Sequence, residues 1–511
     1  MLETVPWASE LRGTVDAHGA SIAVHDGTQG ISFHALADRA SQVAYQLLFR
    51  GMRPGEPVVS SLRNSIPAVW TSVGLRISGA AEVALNASLT DTERKYCVDL
   101  VGVKWAVTTA AQADIFRALG CDVIVLEELP KTGETLDLPS VPAEAWSRIG
   151  FTSGTTGKPK AIVTTHGARW IANILQRAHF STMPGPGSAI LLMTPFVHGA
   201  GILAHGFNDR GATAYLLDGV EIEKVSDALH GGKVDYIFAP PTVMAKIVVA
   251  FEGEVFPNIR TIFTGTAPLT APLYYKARKM FGPVIRVTYG KSEITNPITV
   301  LSPEECKTYY AEPSDGDGVC VGYPGSGVEI DIRDDTNQKL PRGDVGEVHL
   351  RGRHMSCGHL DANGFQPLPP DGFHATGDLG RIDPNGRLHL VGRVADVIKS
   401  GGYKIHPDEI ERVLAATAPV VSIVTLPSEY WGEVIVAVAE GADTGWEDRA
   451  RAALGELARY KHPRAFLTMA ELPRNHQGKI MRRLIREALL EAYTIQDGPY
   501  PSLKKRSASP A

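Results

Sequence analysis

The sequence predicts an α/β protein of several domains, because short apolar runs alternate with helical patterns along most of its 511 residues. In the first 145 residues, apolar runs such as residues 57–59 alternate with helical patterns such as residues 66–75. The same alternation continues from residue 190 to residue 288, so we expect two doubly wound sheet units. In the second unit, strands are expected at residues 189–193, 214–217, 236–239 and 261–264.

The pattern changes after the second unit. Residues 319–390 contain short strand-like runs separated by Gly, Pro and Asp turns, which predicts a smaller β subdomain. We therefore assign residues 1–396 to a large N-terminal domain. A compact α+β pattern then predicts a small, mobile C-terminal domain over residues 397–495. Residues 496–511 are Pro/Ser-rich and charged, which predicts a disordered tail.

The charge, apolar content and cysteines of the chain limit which partners and cellular locations are expected. The net charge is −5 and the pI is about 6.4, so the chain has no global basic field that would favour nucleic acid or an anionic membrane. No apolar stretch reaches the roughly twenty residues that span a bilayer, and the N-terminus lacks a basic region followed by an apolar run. We expect a cytoplasmic protein. Its five cysteines show no CxxC pair, so we expect buried apolar cysteines and neither zinc nor disulfides.

Residues 151–160, with the sequence FTSGTTGKPK, have the composition of a polyphosphate-binding loop. Glycines allow close approach of backbone N–H groups to phosphate oxygens, hydroxyls donate hydrogen bonds, and lysines supply positive charge. The P-loop of kinases needs Ser or Thr after its Gly-Lys pair and then a helix, whereas here Pro159 and a β-branched run follow. We therefore expect an ATP-binding loop between two strands.

Four further motifs follow in order. They are YGKSE at residues 289–293, TGDLG at 376–380, GRVAD at 392–396 and PRNHQGK at 473–479. Together with the loop, they resemble the acyl-adenylate-forming superfamily of acyl-CoA synthetases, peptide-synthetase adenylation domains and luciferases, from about residue 30 to 485. The resemblance implies a two-step reaction. A carboxylate attacks the α-phosphate of ATP, giving an acyl-adenylate and pyrophosphate, and a thiol then takes the acyl group.

The resemblance also implies an ATP site. Tyr289 would lie against adenine, Asp378 would accept hydrogen bonds from the ribose hydroxyls, and Arg393 would add a contact from the far side. Glu293 would coordinate Mg²⁺, which prefers a carboxylate plus phosphate oxygens. The remaining ATP contacts would come from the loop residues Thr152, Ser153, Gly154, Thr155, Thr156, Gly157, Lys158 and Lys160, from Gly265, Thr266, Ala267 and Pro268, and from Gly290 and Ser292. Alternatively, Tyr289 is an ordinary packed tyrosine.

Lys479 resembles the catalytic lysine that bridges the substrate carboxylate and the α-phosphate, and Glu293 and Thr155 are the other catalytic candidates. By analogy, the C-terminal domain swings about Asp396 after adenylation and removes Lys479 from the site. Alternatively, Lys479 is a solvated loop lysine.

The swing would present a passage for the pantetheine arm of coenzyme A. Its walls would come from Ser400, Gly401, Gly402 and Tyr403, and Trp431 would line the approach. Glycines suit a narrow tunnel because they have no side chains. Three acceptors fit: coenzyme A, a carrier-protein pantetheine, or none. Coenzyme A is favoured, and we expect no carrier domain after Lys479. One departure argues against coenzyme A: Ala87 and Ser88 follow Asn86, where many CoA ligases place a basic residue.

The acyl pocket is expected around Phe196, His198 and Gly199, with Phe238 as an apolar wall. This segment lacks the Asp that amino-acid-activating domains use, so a fatty, alicyclic or aromatic carboxylic acid is favoured. Lys291 stands where the family more often has an uncharged residue. Our hypothesis is that Lys291 meets a polar or second carboxylate group of the acid; alternatively, it faces solvent or a local acidic residue.

Two other classes of function compete with this one. One is an ATP phosphohydrolase or kinase, against which Pro159 and the missing helix argue. The other is a degenerate nucleotide-binding module, which is disfavoured because Glu293, Asp378, Arg393 and Lys479 are all present.

Overall fold

The computed structural model describes residues 2–130, 138, 140–152, 159–312, 318–400, 403–474 and 480–506. The chain divides into two compact units. The first comprises residues 1–313, 321–330 and 350–374, and the second comprises residues 314–320, 331–349 and 375–511. The second unit thus takes in residues N-terminal to the predicted boundary at residue 396. The mobility of residues 397–495 stays a prediction.

Two mixed sheets form the framework of the first unit, as predicted. The first sheet has eight strands, of which five run parallel and the remainder are joined by antiparallel pairing. In spatial order, its strands are Gly364–Pro367, Gly358–Asp361, Lys160–Thr165, Trp146–Thr152, Ala81–Ala84, Pro57–Ser60, Trp105–Thr108 and Asp122–Val125.

The second sheet has seven strands, and all except the last edge strand are parallel. In spatial order, its strands are Ile285–Val287, Thr261–Thr264, Tyr236–Phe238, Ala189–Leu192, Thr213–Leu216, Ile22–His25 and Gly30–Ser32. The four predicted strands are confirmed within one residue at each end. The sequence pattern did not indicate that residues 22–32 belong to this sheet, because strand pairing across such a separation leaves no local periodicity.

Helices cover both sheets. Those of the first unit are Trp7–His18, Phe33–Phe49, Ile66–Ser78, Asp91–Val101, Ala110–Ala118, His166–Ala178, Gly201–Asn208, Ile222–His230, Pro241–Ala250, Ala271–Phe281 and Pro303–Ala311. Helix Ile66–Ser78 is buried on almost every side, which fits its nearly unbroken apolar sequence. It shares one core with helix Phe33–Phe49 and with residues of both sheets. A Cβ atom at Gly74 would lie 2.7 Å from the carbonyl oxygen of Ala40, so glycine allows these two helices to pack closely.

Helix ends follow local sequence signals. Thr90 and Glu93 form a reciprocal capping box at the start of helix Asp91–Val101, and Gly102 ends it in the left-handed conformation. Ser302 and Glu305 form the same box on helix Pro303–Ala311. Because the residues of a cap lie within a few positions of each other, helix ends of this kind are directly predictable from the sequence.

Further strands lie at Thr4–Val5, Val141–Pro142, Thr299–Val300, Val319–Pro324, Val328–Arg333, Gly346–Gly352, His374–Ile382 and Leu388–Arg393. The last five correspond to the β-rich stretch that the sequence predicts, and they include an antiparallel pair in which Asp378 faces Arg393. The predicted strand-rich character is confirmed.

The second unit carries a five-stranded sheet. Its strands are Tyr403–Ile405, Ile398–Ser400, Gly432–Glu440, Val420–Ser428 and Ala465–Met469, the last running parallel to Gly432–Glu440. Helices Pro407–Leu414 and Trp446–Ala453 pack on one face, and helix Arg482–Ala492 packs on the other. The predicted α+β pattern is confirmed.

The C-terminal segment differs from the predicted tail. Strands Tyr493–Gln496 and Ser502–Lys505 form an antiparallel hairpin. Between them, Asp497 accepts hydrogen bonds from the Ser428 hydroxyl at 2.7 Å and from the backbone N–H groups of Glu429 and Tyr430. These bonds order residues that composition alone marks as a tail. Residues 507–511 lie outside the described part of the chain.

Four of the five cysteines, Cys97, Cys121, Cys306 and Cys320, are buried, and Cys357 is half-buried. Burial, together with the charge of Glu93, raises the pKa of Cys97 to about 12. The prediction of buried cysteines is confirmed for these four. Within the described ranges, no helix is both long and apolar enough to cross a bilayer.

Candidate active site

The predicted phosphate loop joins two antiparallel strands, Trp146–Thr152 and Lys160–Thr165, with Thr152 opposite Lys160. The strand–loop–strand prediction is therefore confirmed. The hydroxyl of Tyr96 donates a hydrogen bond to the carbonyl oxygen of Pro159 at 3.1 Å, which holds the exit of the loop against helix Asp91–Val101. The residues Ser153, Gly154, Thr155, Thr156, Gly157 and Lys158 lie outside the described residues, so their phosphate contacts stay a prediction.

Residues 265–268 follow strand Thr261–Thr264 at the carboxyl end of the second sheet, where ligands of α/β proteins usually bind. A Cβ atom at Gly265 would lie 2.4 Å from the carbonyl oxygen of Thr288, so only glycine fits there. Thr266 has a φ of 69°, and Thr266, Ala267 and Pro268 are exposed. The contact of this segment with ATP stays a prediction.

Tyr289 follows the neighbouring strand, Ile285–Val287, and is 6% exposed. Its backbone N–H donates to the hydroxyl of Thr299 at 3.1 Å, and that hydroxyl donates to the carbonyl oxygen of Val321 at 2.5 Å. This network fixes the backbone that leads to Gly290 and Ser292. The contact of Tyr289 with adenine stays a prediction.

Glu293 is held from two sides. Its carbonyl oxygen accepts a hydrogen bond from the backbone N–H of Ser356 at 2.8 Å, and its Oε1 lies 3.8 Å from Nε2 of His374. Sequence analysis missed His374, whose only signal is its position two residues before the TGD motif. Within the described ranges, no three His, Cys, Asp or Glu side chains form a metal cage. One partly exposed carboxylate fits Mg²⁺, which takes its other ligands from phosphates and water.

The predicted acyl segment forms a π-helical turn at Phe196–Ala200, directly before helix Gly201–Asn208. The side chain of Asn64 accepts a hydrogen bond from the backbone N–H of Phe196 at 2.6 Å and donates to the carbonyl oxygens of Thr194 and Leu217. Arg148, on the strand before the phosphate loop, donates to the carbonyl oxygen of Val197. The turn and the loop strand are therefore linked directly.

A cavity adjoins this turn. Its apolar lining comes from Phe180, Gly199, Ile202, Leu203, Phe238 and Phe263, and its polar lining includes Gln176, Arg286, Thr288 and Asn296. Gly199 and Phe238 thus lie where the sequence places them. Phe196, His198 and Lys291 are not among the residues that line the described cavity, so their contacts with an acid stay predictions. The sequence analysis missed Gln176 and Arg286, which come from a helix and a strand outside the motifs.

In the second unit, Asp378 and Arg393 face each other on neighbouring strands, with Oδ1 of Asp378 at 3.3 Å from Nε of Arg393. The Asp378 side chain is 9% exposed, whereas that of Arg393 is 57% exposed. Two hydrogen bonds hold the preceding turn. The backbone N–H of Gly377 donates to the carboxylate of Glu347, and the backbone N–H of Asp378 donates to the hydroxyl of Thr376. The pair is oriented to offer a carboxylate beside a cation, and its contact with ribose stays a prediction.

Asp396 ends a short helical turn before strand Ile398–Ser400. It forms an ion pair with Arg482, a residue that sequence analysis missed. The same guanidinium also contacts Asp408 and Glu411, so the predicted hinge residue belongs to a four-residue charge cluster.

The predicted coenzyme A segment lies on two antiparallel strands, with Ser400 opposite Tyr403. The Ser400 hydroxyl donates to the carbonyl oxygen of Glu433 at 2.6 Å, and Tyr403, 52% exposed, stacks on Tyr460. Trp431 donates from its indole nitrogen to the carbonyl oxygen of Gly498 at 3.0 Å. The C-terminal hairpin therefore supports Trp431. Gly401, Gly402 and Lys479 lie outside the described residues, so their roles stay predictions.

Together, the two-sheet α/β unit, the strand–loop–strand and the carboxylate of Glu293 define a nucleotide-binding enzyme of the adenylate-forming class. Comparison with known families agrees with this class. The chain belongs to the family described as AMP-binding enzyme, whose model matches residues 11–360.

Similar proteins span nearly the whole chain. The chain is 27% identical over 471 residues to the 2-succinylbenzoate–CoA ligase of Listeria monocytogenes, covering 89% of this chain and 94% of that protein. It is 26% identical over 528 residues to a Rhodococcus jostii CoA ligase named for a methyl-dioxo-octahydro-indenyl propanoyl group. That match covers 94% of this chain and 98% of that protein. Among solved structures, the O-succinylbenzoate coenzyme A synthetase of Bacillus subtilis with ATP and magnesium has a TM-score of 0.80 at 25% identity. The superposition covers 94% of this chain and 99% of that one.

Proposed function

We propose that this protein is an AMP-forming acid–thiol ligase. It uses ATP and Mg²⁺ to convert a carboxylic acid into an acyl-adenylate with release of pyrophosphate, and it then transfers the acyl group to coenzyme A. The membership of the AMP-binding family, extending through the phosphate loop and Glu293, is the observation that carries this proposal. The names of the CoA ligases that match the chain over most of its length support coenzyme A as the acceptor.

The chemistry requires charge placement more than a protein nucleophile. Two anions, the carboxylate and the triphosphate, must meet, and negative charge grows on the oxygens around the α-phosphorus. Lys160 and the loop before it would supply cations and N–H donors. Mg²⁺ bound at Glu293 would neutralise phosphate charge, and Asp378 with Arg393 would position the ribose. Apolar side chains beside the small cavity, among them Phe238, would contact the body of the acid and exclude water.

Acid-dependent exchange of labelled pyrophosphate into ATP tests the first step, because exchange requires a reversible acyl-adenylate. A panel of fatty, alicyclic and aromatic acids should contain at least one that supports exchange. Glu293→Gln should lower the exchange rate by about a hundredfold or more, since it removes a metal ligand without changing side-chain shape.

Glu304→Gln is a matched control. Glu304 is an exposed carboxylate on helix Pro303–Ala311 that pairs only with Lys307 among the described residues, and its loss should leave exchange unchanged. Phosphate release without acid, in place of exchange, would contradict the proposal and favour a phosphohydrolase. With the best acid, coenzyme A and a carrier-protein pantetheine can then be compared as acceptors.

A further inference from the structure

Arg286 is a buried cation to which the described residues supply no counter-ion. It lies on strand Ile285–Val287, opposite Phe263 on the neighbouring strand, and is 6% exposed. Its guanidinium carbon lies 5.4 Å from the centre of the Phe263 ring. Among the described residues, its buried Nε atom has no hydrogen-bond partner, and no carboxylate forms an ion pair with the guanidinium. Burial lowers the pKa of Arg286 to about 10, so the side chain still carries its charge at neutral pH.

An unpaired buried charge destabilises a folded protein, so its presence calls for an explanation. Most other buried arginines in the described ranges have carboxylate partners: Arg169 lies 3.0 Å from Glu82, and Arg76 lies 3.5 Å from Asp209. Arg286 instead lines the cavity beside Gly199 and Phe238. The partner that neutralises it can therefore be a ligand.

A second unpaired polar atom lines the same cavity. Gln176, on helix His166–Ala178, is 8% exposed, and its Oε1 atom has no hydrogen-bond partner among the described residues. Thus a helix and a strand each direct an unsatisfied polar side chain toward a cavity whose other walls include Phe180, Phe238 and Phe263. Buried polar groups are normally paired, so two such groups at one cavity point to a polar group that binds there.

The size of the cavity limits what binds beside Arg286. Its volume is about 30 Å³, which is room for roughly two water molecules. A carboxylate, with its two oxygens, matches this space and the paired donors of a guanidinium. A neutral ketone or hydroxyl would leave the charge of Arg286 uncompensated.

We propose that Arg286 binds a second carboxylate of the acid substrate, so that the protein prefers dicarboxylic acids with an apolar segment between their two carboxylates. One carboxylate is activated, and the other is held in the cavity by Arg286, with Gln176 as a neighbouring polar contact. This proposal rests on the proposed function, and it assigns to Arg286 the role that sequence analysis considered for Lys291.

The test compares matched acids in the pyrophosphate exchange assay: suberate with octanoate, and terephthalate with para-toluate. Each pair differs mainly in the distal carboxylate. For the wild-type protein, kcat/KM for the better diacid should exceed that of its monoacid by about thirtyfold or more, the scale of a buried charge pair. Arg286→Met should bring the ratio to about one or below, and Arg286→Lys should keep part of the preference.

Arg117→Met is the control for loss of one positive charge, because Arg117 is exposed and pairs with Asp114 on a surface helix. It should keep the wild-type ratio. A second readout needs no catalysis: the melting temperature of ligand-free Arg286→Met should equal or exceed that of the wild type, since no ion pair is lost. A lower melting temperature would show a structural role and overturn the proposal, as would an unchanged diacid-to-monoacid ratio.

The two proposals can fail separately. If no acid supports exchange, the proposed function is wrong, and binding of suberate or terephthalate is then measured by thermal shift. A stabilisation seen in the wild type and lost in Arg286→Met would still support a dicarboxylate site, whereas equal shifts or none would refute it. If monoacids alone support exchange, the reaction stands and the role of Arg286 is wrong.

Discussion

His166 is a buried histidine that stays neutral well below the pH at which histidines usually take up a proton. Its Nδ1 accepts a hydrogen bond from the indole of Trp7 at 3.0 Å. Burial, followed by the charge of nearby Arg169, lowers the pKa of His166 to about 3 from an ordinary value of 6.5. Between about pH 3 and 6.5, His166 is therefore protonated in the unfolded chain and neutral in the folded protein.

This difference predicts acid sensitivity. The stability that His166 contributes is complete above about pH 6.5 and declines as the pH falls toward 3, because the unfolded state binds more protons in that window. Near pH 4.5 the loss is roughly 2 to 3 kcal/mol. His205, whose pKa burial also lowers, adds to the same trend. In urea unfolding at a series of pH values, His166→Gln should show a shallower decline than the wild type.

His230 offers a control of opposite sign. It is exposed, and its hydrogen bond with Glu254 raises its pKa, so its contribution is present below its unfolded pKa and is lost as the pH rises. His230→Gln should not make the acid decline shallower. An unchanged slope in His166→Gln would refute the role of His166.

At the scale of elements, Arg482 joins helix Arg482–Ala492 to helix Pro407–Leu414 and to the turn that contains Asp396. Its guanidinium contacts Asp396 and Asp408, and its Nη2 lies 2.7 Å from Oε2 of Glu411. Burial alone would lower the pKa of Arg482, but the three carboxylates outweigh it and raise the pKa. One cation thus compensates three anions that would otherwise repel each other.

Arg482→Met should therefore destabilise the protein by about 2 to 3 kcal/mol, since it leaves partly buried carboxylates unpaired. The free energy of unfolding in urea measures the effect. Adding Glu411→Gln to Arg482→Met should recover part of the loss, because it removes one of the stranded charges.

The neighbouring Arg483 provides a matched control on the same helix. It is 65% exposed and pairs with Glu487 one turn away. Arg483→Met should change the free energy of unfolding by less than about 0.5 kcal/mol. Equal effects of the two substitutions would contradict the account of the Arg482 cluster.

At the scale of the whole molecule, the two half-reactions are predicted to use different faces of residues 397–495. Lys479→Ala should reduce adenylation by about a hundredfold or more, because it deletes a principal charge stabiliser. Transfer from supplied acyl-adenylate to coenzyme A should survive. Pyrophosphate exchange and thioester formation, measured separately, check the two outcomes.

Gly402→Leu should show the reverse pattern, with exchange intact and thioester formation blocked, because a side chain would fill the predicted pantetheine passage. Equal losses in both half-reactions for Lys479→Ala would contradict the domain swing. Unaffected thioester formation in Gly402→Leu would show that the passage lies elsewhere.

The residues that sequence reasoning found share one property: each belongs to a short contiguous motif. Glu293, Asp378 and Arg393 lie in such motifs, and the structure places Asp378 beside Arg393. His374, Gln176, Arg286 and Arg482 belong to none. Their importance comes from partners, or missing partners, that are distant in the sequence, which periodicity and motif spacing do not encode.

The amino-acid sequence by itself determined the alternating α/β plan, the strand–loop–strand around residues 153–158 and the class of reaction, because these depend on local periodicity and on motif chemistry. Only the tertiary structure decided that Ile22–His25 joins the second sheet, with Thr213 bonded to a residue 191 positions away. It alone also showed that residues 493–505 form a hairpin and that Arg286 is buried with no counter-charge from the described part of the chain. Burial and long-range pairing arise when distant segments pack, so no local pattern records them.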